Sequence, residues 1–223
     1  MKAAMTDASG NADARERILG AAERLFAQKG IEKTSTREIT TEAAVNVASV
    51  NYYFRSKEAL AEEIFARLAE RATTMRLADL SAYMQTAQAA GEPLRLNALV
   101  ACFVRPYFEP VQTGQLFARF ILQHRLQPSA MTKRVYEQYL DPFALEFIDA
   151  LSRTDARVPR PEWMWRYTLM TGTVVLAVTD VATGNRLAVL SKGMADASRD
   201  DELRRHLTGF ICAALSGRTS GTG

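Results

Sequence analysis

The stretch ITTEAAVNVASVNYYFRSKEAL, Ile39–Leu60, contains two short helical patterns separated by a turn. Ser35 stands three residues before Glu38, which is the spacing of a capping box, so the first helix is expected to begin directly after Ser35. Asn46 is a favourable N-cap for the second helix, which is predicted over Val47–Phe54. The stretch therefore predicts two short helices joined by a tight turn.

Helical patterns flank this stretch on both sides. The run ILGAAERLFAQKG, Ile18–Gly30, places its apolar residues on one stripe at helical period, and Gly30 is expected to end that helix. Another long helix is predicted from Lys57 onward. Its apolar face is expected to include Leu60, Ile64, Leu68 and Met75. A long helix followed by two short helices across a tight turn describes a helix-turn-helix unit.

The second short helix has the composition that a DNA groove requires. The major groove of B-DNA is about 12 Å wide and admits one α-helix, whose N-terminal residues then face the base edges. The residues on this face are small or polar: Val47, Ala48, Ser49 and Asn51. Val50 and Phe54 are expected to anchor the opposite face, and Tyr52 is expected to pack against the preceding long helix. Tyr53 and Lys57 are placed where a hydroxyl and an ammonium can reach phosphate groups.

The composition is that of a globular protein from a reducing compartment. The chain has 223 residues, enough for one large or two small domains at roughly 150 residues each. Apolar residues make up 48% and charged residues 24%, which excludes a disordered chain. Two cysteines exclude a disulfide scaffold, and the sequence contains no recognisable secretion signal or membrane span, so a cytoplasmic protein is expected. The formal net charge of +3 neither indicates nor excludes nucleic-acid binding.

The quoted stretch resembles the DNA-binding signature of TetR-family transcriptional repressors, whose usual form is I-A-x-x-A-G-V-S-x-x-x-L-Y-Y-H/Y-F-x-S-K-E-x-L. Ile18–Gly30 is similar to the first helix of the same family, and the resemblance covers Ala14–Leu68. Ala44 stands at the usual glycine of the turn, which costs about 1 kcal/mol if the position needs a positive φ. Val50 and Asn51 replace the usual Leu-Tyr pair, a variant found in the family branch whose signature ends V-N-Y-H-F.

The resemblance implies a homodimeric repressor that binds a palindromic DNA operator. Phosphate contacts are implied for Thr36, Tyr53 and Lys57. Base-edge contacts are implied for Val47, Ala48 and Ser49, with Asn51 or Arg37 as further contacts. Arg37 would equally fit an ordinary solvated side chain in the first turn of a helix. Lys57 could be solvated as well, but a cation there opposes the helix dipole, which favours a phosphate partner.

The resemblance implies that the rest of the chain is a helical ligand-binding and dimerisation domain. The whole chain is expected to be all-α with about nine helices. The predicted domains are a flexible tail over 1–12, the helix-turn-helix domain over 13–70, the helical domain over 71–216 and a second tail over 217–223. The last helix carries one apolar stripe, and the helix before it is apolar on more than one face, so the pair is expected to form the subunit interface. Burial within one subunit would explain the same pattern.

Candidate ligand-binding residues lie in the apolar helices of this domain: Phe103, Tyr107, Phe120, Arg119, His124, Trp163 and Met170. The aromatic ones would serve equally as ordinary core. An inward-facing Arg119 needs a carboxylate partner, either from a ligand or from Glu109 or Glu146. The region also resembles ligand domains of the V-N-Y-H-F branch, some of which sense fatty acids or acyl thioesters. This resemblance implies an acidic or amphipathic hydrophobic effector.

The function predicted from these features is that of a ligand-responsive repressor released from DNA by a small hydrophobic or amphipathic effector. An enzyme is disfavoured, because the sequence has no phosphate-binding loop, nucleophile elbow or dinucleotide fingerprint. His124 and His206 lack a His or Cys neighbour at metal-ligand spacing, so no metal and no cofactor are predicted. The alternative is a small-molecule-binding helical protein without operator binding.

Overall fold

The computed structural model describes residues 2–217, with side chains described from Ala12 onward. Every regular element in this range is helical, which confirms the all-α prediction. The α-helices are α1 (Lys2–Lys29), α2 (Thr36–Glu42), α3 (Ala48–Phe54), α4 (Lys57–Ala90), α5 (Leu96–Val104), α6 (Val111–Leu126), α7 (Ala130–Val135), α8 (Asp141–Ser152), α9 (Arg160–Thr179), α10 (Arg186–Leu190) and α11 (Asp200–Ser216). Short 3-10 turns occupy Arg105–Tyr107 and Val181–Thr183, and a π-helical turn occupies Tyr136–Leu140.

The chain divides into two compact units, which meet in sequence between Leu68 and Ala69. Unit 1 contains α1, α2, α3 and the first part of α4, and unit 2 contains the remainder of α4 and the helices that follow. Within the described residues, none of the helices has the apolar run that crossing a bilayer would need.

Local capping sets the helix starts in unit 1. The Ser35 hydroxyl accepts a 3.2 Å hydrogen bond from the Glu38 amide, and the Glu38 carboxylate accepts one of 2.8 Å from the Ser35 amide. This capping box begins α2 at Thr36, as predicted. The Asn46 side chain accepts a 2.9 Å hydrogen bond from the Ala48 amide, and α3 begins at Ala48, one residue later than the sequence predicted.

The turn between α2 and α3 places Ala44 at a φ of +53°. This is the left-handed region, where a side-chain Cβ clashes with the backbone and glycine is preferred. The turn therefore carries the strain that the sequence predicted for an alanine at the usual glycine position.

The core of unit 1 comes from the predicted apolar faces. Ile18 and Phe26 of α1, Ile39 of α2, Val50 of α3 and Ile64 of α4 are all fully buried. Surface ion pairs connect α1 to α4 within this unit. Arg15 and Glu63 are 2.6 Å apart, and Arg67 and Glu16 are 2.7 Å apart.

Unit 2 is built around an aromatic core. Its largest fully buried side chains are Phe103, Tyr107, Phe117, Phe143, Phe147 and Trp163. Helix α5 packs on α11, and α6 packs on α9. Gly114 near the start of α6 allows a close approach, because a Cβ at this position would lie 2.2 Å from the Tyr107 carbonyl oxygen.

Four details differ from the sequence expectations. Helix α1 extends back to Lys2 through the expected tail, since Ala3 and Ala4 are strong helix formers. The sequence pattern predicts one helix over 129–151, which the π-helical turn divides, and it predicts a connection over 184–199, which contains α10. Arg76 rather than Met75 continues the buried face of α4. Of the expected second tail, residues 218–223 lie outside the described part of the chain.

Candidate nucleic-acid interface and ligand cavity

Helix α3 has one anchored face and one exposed face. Val50 and Phe54 are buried in unit 1, as the sequence predicted. The side chain of Val47, just before the helix, is 54% exposed, and Ala48 and Asn51 are exposed as well. The structure therefore brings the predicted base-contact residues to one open surface, with Ser49 half-buried at its edge.

The two tyrosines of α3 differ in exposure, and Tyr52 departs from the sequence prediction. Tyr52 is 73% exposed, so the prediction that it packs against α1 is wrong. Tyr53 is half-buried, and its ring meets the Tyr52 ring edge-on at a centroid distance of 4.9 Å. The helical period explains the outcome: Tyr52 lies two residues from both Val50 and Phe54, which places it about 200° from each around a helix of 3.6 residues per turn.

Several cations around α2 and α3 are exposed without an ion pair. None of the side chains of Lys33, Arg37 and Arg55 forms one within the residues that the structure describes, although the acidic Glu32 is exposed beside Lys33. The acids of α2 are engaged instead by cations of α1. Glu38 is 2.5 Å from Lys29, and Glu42 is 2.8 Å from Arg24.

Glu38 stays ionised at neutral pH. The hydrogen bond from Lys29, together with those from Ser35, lowers the pKa of Glu38 to about 2. The negative charges of α2 are thus paired with α1, and the three exposed cations remain available to an anionic partner.

Lys57 has a structural function at the start of α4. Its ammonium donates hydrogen bonds of 3.0 Å to the Ile31 carbonyl oxygen and 3.1 Å to the Thr34 carbonyl oxygen. These bonds hold the loop between α1 and α2, near the half-buried Thr36. An ammonium has three N–H donors, so one remains for a phosphate group.

Unit 2 contains a cavity of about 470 Å³ that is partly open to solvent. Among the predicted ligand-binding residues, Phe103, Tyr107 and His124 line it. Other polar and ionisable residues that line the cavity are not among the predicted ligand-binding residues: Arg76, Arg125, Tyr136, Asp141, Tyr167, Thr168 and Thr171. One signal was available for Arg76, because it continues the i, i+4 stripe that runs through Leu68 and Ala72.

The other four predicted ligand-binding residues do not line this cavity. Phe120 and Met170 are buried in the core of unit 2, and Arg119 is half-buried on α6. Trp163 is buried and borders a separate cavity of about 960 Å³ near the end of α11.

Arg76 is the buried charge of the cavity wall. Its side chain is only 2% exposed, and its Nε donates a 3.0 Å hydrogen bond to the Phe103 carbonyl oxygen. The guanidinium carbon lies 4.4 Å from the centre of the Phe103 ring, 5.0 Å from that of Tyr107 and 5.2 Å from that of Phe143. The cation is therefore held in an aromatic cage.

The remaining ionisable groups of the wall are neutral or lie at its rim. Burial, and then the charge of Arg125, lowers the pKa of His124, whose Nδ1 is hydrogen-bonded to the Thr132 hydroxyl. Burial raises the pKa of Tyr136 and of Tyr167 to about 12, so both keep their hydroxyl protons at neutral pH.

Helices α9 and α11 each keep an apolar face exposed. On α9, Leu169 is 65% exposed, and Trp165 and Leu176 are exposed on the same side. On α11, Phe210 is 64% exposed, and Ala213 and Ala214 are exposed as well, whereas Leu207, Ile211 and Leu215 are buried. Each helix thus presents apolar surface that the rest of the described chain leaves exposed.

A helix-turn-helix unit followed by a helical unit that contains a cavity is the architecture of one class of transcriptional regulators. Residues 18–64 match the family "Bacterial regulatory proteins, tetR family", and residues 101–214 match the "Tetracyclin repressor-like, C-terminal domain". The second match spans half of the chain, and the chain belongs to the tetR family of bacterial regulatory proteins. The family is one of regulators, which confirms the prediction that the chain is not an enzyme.

Individual relatives agree with this assignment. The chain is 43% identical over 56 residues to YttP of Bacillus subtilis (strain 168), named as an HTH-type transcriptional regulator. This match covers 25% of the chain and 27% of the length of YttP.

Solved structures match over nearly the whole chain and show its fold. HlyIIR, a hemolysin II transcriptional regulator, is 19% identical with a TM-score of 0.58, over 93% of this chain and 99% of HlyIIR. A protein from Saccharomonospora viridis, described as a transcriptional regulator and solved in complex with choline, is 19% identical with a TM-score of 0.61. That match covers 90% of this chain and 96% of the other chain.

Proposed function

We propose that this protein is a ligand-responsive transcriptional repressor that binds a palindromic operator as a homodimer. The observation that carries the proposal is the open face of α3, anchored from behind by Val50 and Phe54 and accompanied by exposed cations without ion pairs. A protein that acts on DNA through this face is expected to work in the cytoplasm.

The helix-turn-helix residues divide into two groups in this proposal. Phosphate contacts fall to Thr36, Tyr53 and Lys57, with Lys33 and Arg55 as additional cations. Base-edge contacts fall to Val47, Ala48 and Ser49, and to Asn51 or Arg37. Phosphate contacts set position and affinity, whereas base contacts set sequence preference. Tyr52 is exposed and is therefore added to the proposed DNA-contacting residues.

The second copy of the chain is proposed to dock on α9 and α11. Exposed large apolar residues in contiguous patches mark interaction sites. Leu169, Trp165 and Leu176 provide such a patch on α9, and Phe210 adds an exposed aromatic ring on α11. Two helices from each subunit would then form a four-helix contact. A two-fold dimer presents two copies of α3, which calls for an operator with two-fold symmetry.

The cavity of unit 2 that Arg76 lines is the proposed effector site. Its volume of about 470 Å³ lies within the range of small-molecule sites, roughly 300–1,000 Å³. Helix α4 contributes Lys57 to unit 1 and Arg76 to unit 2, so it is the proposed element through which effector binding changes DNA affinity. Reciprocity requires that operator DNA weakens effector binding by the same factor.

The choline bound by the Saccharomonospora viridis protein is not the effector class proposed for this chain. Arg76 and Arg125 place two cations on the cavity wall, against the single carboxylate of Asp141. A quaternary ammonium ligand would meet net repulsion there. The effector class proposed is a small hydrophobic or amphipathic molecule without positive charge.

A gel shift with the DNA upstream of the protein's own gene tests the proposal. The wild type should give a specific shift, and Val47→Glu should abolish it by placing a carboxylate against the groove. Ala156→Glu adds the same charge at an exposed loop position of unit 2 and should retain the shift. Loss of the shift in both variants, or retention in both, contradicts the role of α3. Absence of any shift with the wild type favours a small-molecule-binding protein without an operator.

A further inference from the structure

Arg76 is a buried cation that no acidic side chain neutralises. Among the side chains described, none of the carboxylates lies within the 4.0 Å of an ion pair with its guanidinium. The acid nearest along α4, Asp79, is bound at 2.7 Å by Arg105 instead. Taking a charged group out of water costs several kcal/mol in real proteins unless a partner compensates it. The position therefore calls for an anion that the chain itself does not supply.

The bonds that Arg76 does make leave part of its guanidinium unused. Its Nε is bound to the Phe103 carbonyl oxygen, and the faces of Phe103 and Tyr107 lie beside its charge. Its buried Nη2 has no hydrogen-bond partner among the described residues. Aromatic faces stabilise a cation, but they accept no conventional N–H hydrogen bond in the way that a carboxylate does. Arginine presents a planar fork that suits the two oxygens of a carboxylate.

The cavity next to Arg76 combines apolar walls with neutral donors. Phe103, Ile121 and Leu140 supply apolar surface, and Tyr136 and Tyr167, whose hydroxyls stay protonated at neutral pH, line the same space. This arrangement suits a ligand with a hydrophobic body and one charged end.

The other charged groups of the wall are more exposed than Arg76. Arg125 on α6 and Asp141 on α8 are exposed, and they carry opposite charges. His124 on α6 is half-buried beside Tyr136, with their ring centroids 4.3 Å apart. Asp141 opposes an anion, but solvent screens part of its charge because it is exposed, whereas the charge of the buried Arg76 is screened much less.

We infer that this cavity binds a carboxylic acid with an apolar body, whose carboxylate is bound by Arg76 while its body packs against the aromatic wall. The inference rests on the proposed function only in making this acid the effector of DNA binding. It assigns the specificity of the cavity to a residue of α4, the helix that also holds the loop before α2 through Lys57.

Calorimetric titration with matched pairs of acid and primary amide tests the inference directly. The probes are phenylacetate, 4-phenylbutyrate and octanoate, each compared with its amide at neutral pH. The members of a pair have nearly the same size and differ in charge. At least one acid should bind at least about tenfold more tightly than its amide, because charge-assisted bonds to a buried arginine are strong. If no acid binds, or if each amide binds as tightly as its acid, the inference is wrong.

Variants of charged residues assign the preference to Arg76. Arg76→Met should abolish the preference for the acid, whereas Arg71→Met, an exposed arginine on the same helix outside the cavity wall, should keep it. Asp141→Asn should tighten acid binding severalfold and leave amide binding unchanged. A folded Arg76→Met protein that keeps the preference contradicts the inference, as does an Asp141→Asn protein with unchanged acid affinity.

Two further measurements keep the test decisive. If Arg76→Met does not fold, Arg76→Lys retains the charge and should weaken acid binding without loss of helical content, because lysine lacks the planar fork. The same preparations are assayed for binding to the upstream DNA. Acid binding without DNA binding contradicts the proposed function alone, and DNA binding without acid preference contradicts this inference alone.

Discussion

The guanidinium carbon of Arg76 lies 4.4 Å from the centre of the Phe103 ring, and Arg76 Nε donates a hydrogen bond to the carbonyl oxygen of the same phenylalanine. One residue of α5 thus binds the arginine through its backbone and through its ring. The guanidinium is fixed against the cavity before any ligand arrives, so ligand binding does not have to order a long, flexible side chain. Preorganisation of this kind favours affinity for a small acid.

Ala44→Gly is expected to stabilise the protein. The native φ of +53° at this position is strained for alanine and unstrained for glycine. The free energy of unfolding of unit 1 should rise by about 1 kcal/mol, less the entropy that glycine adds to the unfolded chain. Denaturant unfolding followed by circular dichroism measures the change.

Ala43→Gly is the matched control for this change. Ala43 is buried at a φ of −76°, where alanine is unstrained, so glycine should destabilise the protein by roughly 1 kcal/mol. Two substitutions of the same kind at adjacent positions should therefore have opposite signs. Equal destabilisation by both would show that Ala44 is not strained in solution.

Lys57→Met and Lys33→Met should have different effects on stability and DNA binding. Lys57 bonds two carbonyl oxygens of the loop before α2, so its loss should lower the free energy of unfolding by about 1.5–3 kcal/mol. Lys33 is exposed without an ion pair, and its loss should leave stability within about 0.5 kcal/mol. Loss of Lys33 should instead reduce the salt dependence of DNA affinity by about one counterion.

Thermal unfolding and DNA titrations at several salt concentrations separate these two outcomes. The account fails at this point if Lys33→Met unfolds as easily as Lys57→Met. It also fails if Lys57→Met has wild-type stability.

Gly114→Ala should disturb the wall of the cavity. The added Cβ would lie 2.2 Å from the Tyr107 carbonyl oxygen, so the 3-10 turn that carries Tyr107 must move. Overpacking of this kind costs about 1–3 kcal/mol, and binding of an acid probe should weaken with it. Gly20→Ala on α1 is the control, since its Cβ would meet only the end of Arg24 at 3.4 Å and should stabilise that helix. Wild-type unfolding and ligand binding by Gly114→Ala would refute the close approach.

Leu169→Glu and Phe210→Glu should each produce monomers with native helix content. Both side chains are exposed on the faces proposed for the dimer, where a buried carboxylate without a partner is strongly unfavourable. Leu126→Glu, at the end of α6, is an equally exposed control that should remain dimeric. Light scattering after size exclusion gives the molar mass. If the Leu169→Glu and Phe210→Glu proteins remain dimeric, the proposed interface on α9 and α11 is wrong.

Local sequence signals were sufficient for unit 1 because its features depend on neighbouring residues. Ser35 and Glu38 cap a helix through bonds that span three residues, and the strained turn follows from one alanine at a glycine position. The helical period also predicts that Tyr52 is exposed, so the expected packing of Tyr52 against α1 could have been rejected from the sequence.

The cavity was predicted less well because its wall is assembled from α4, α5, α6, α8 and α9. Phe103, Tyr107 and His124 were recognised by residue type, as were Trp163 and Met170, which lie elsewhere. Residue type alone does not tell which face of an apolar helix meets the cavity. The buried arginine could be found only once the stripe of α4 had been followed one turn past Ala72.

Titration of the labelled upstream duplex with the purified protein, followed by fluorescence anisotropy, tests the central claim most directly. The account predicts one dimer per palindromic site and an affinity that falls by roughly a thousandfold or more between about 50 and 200 mM salt, as phosphate contacts release counterions. It also predicts that Val47→Glu removes the specific component. The absence of binding at low salt, or binding that does not change with salt, would contradict the account.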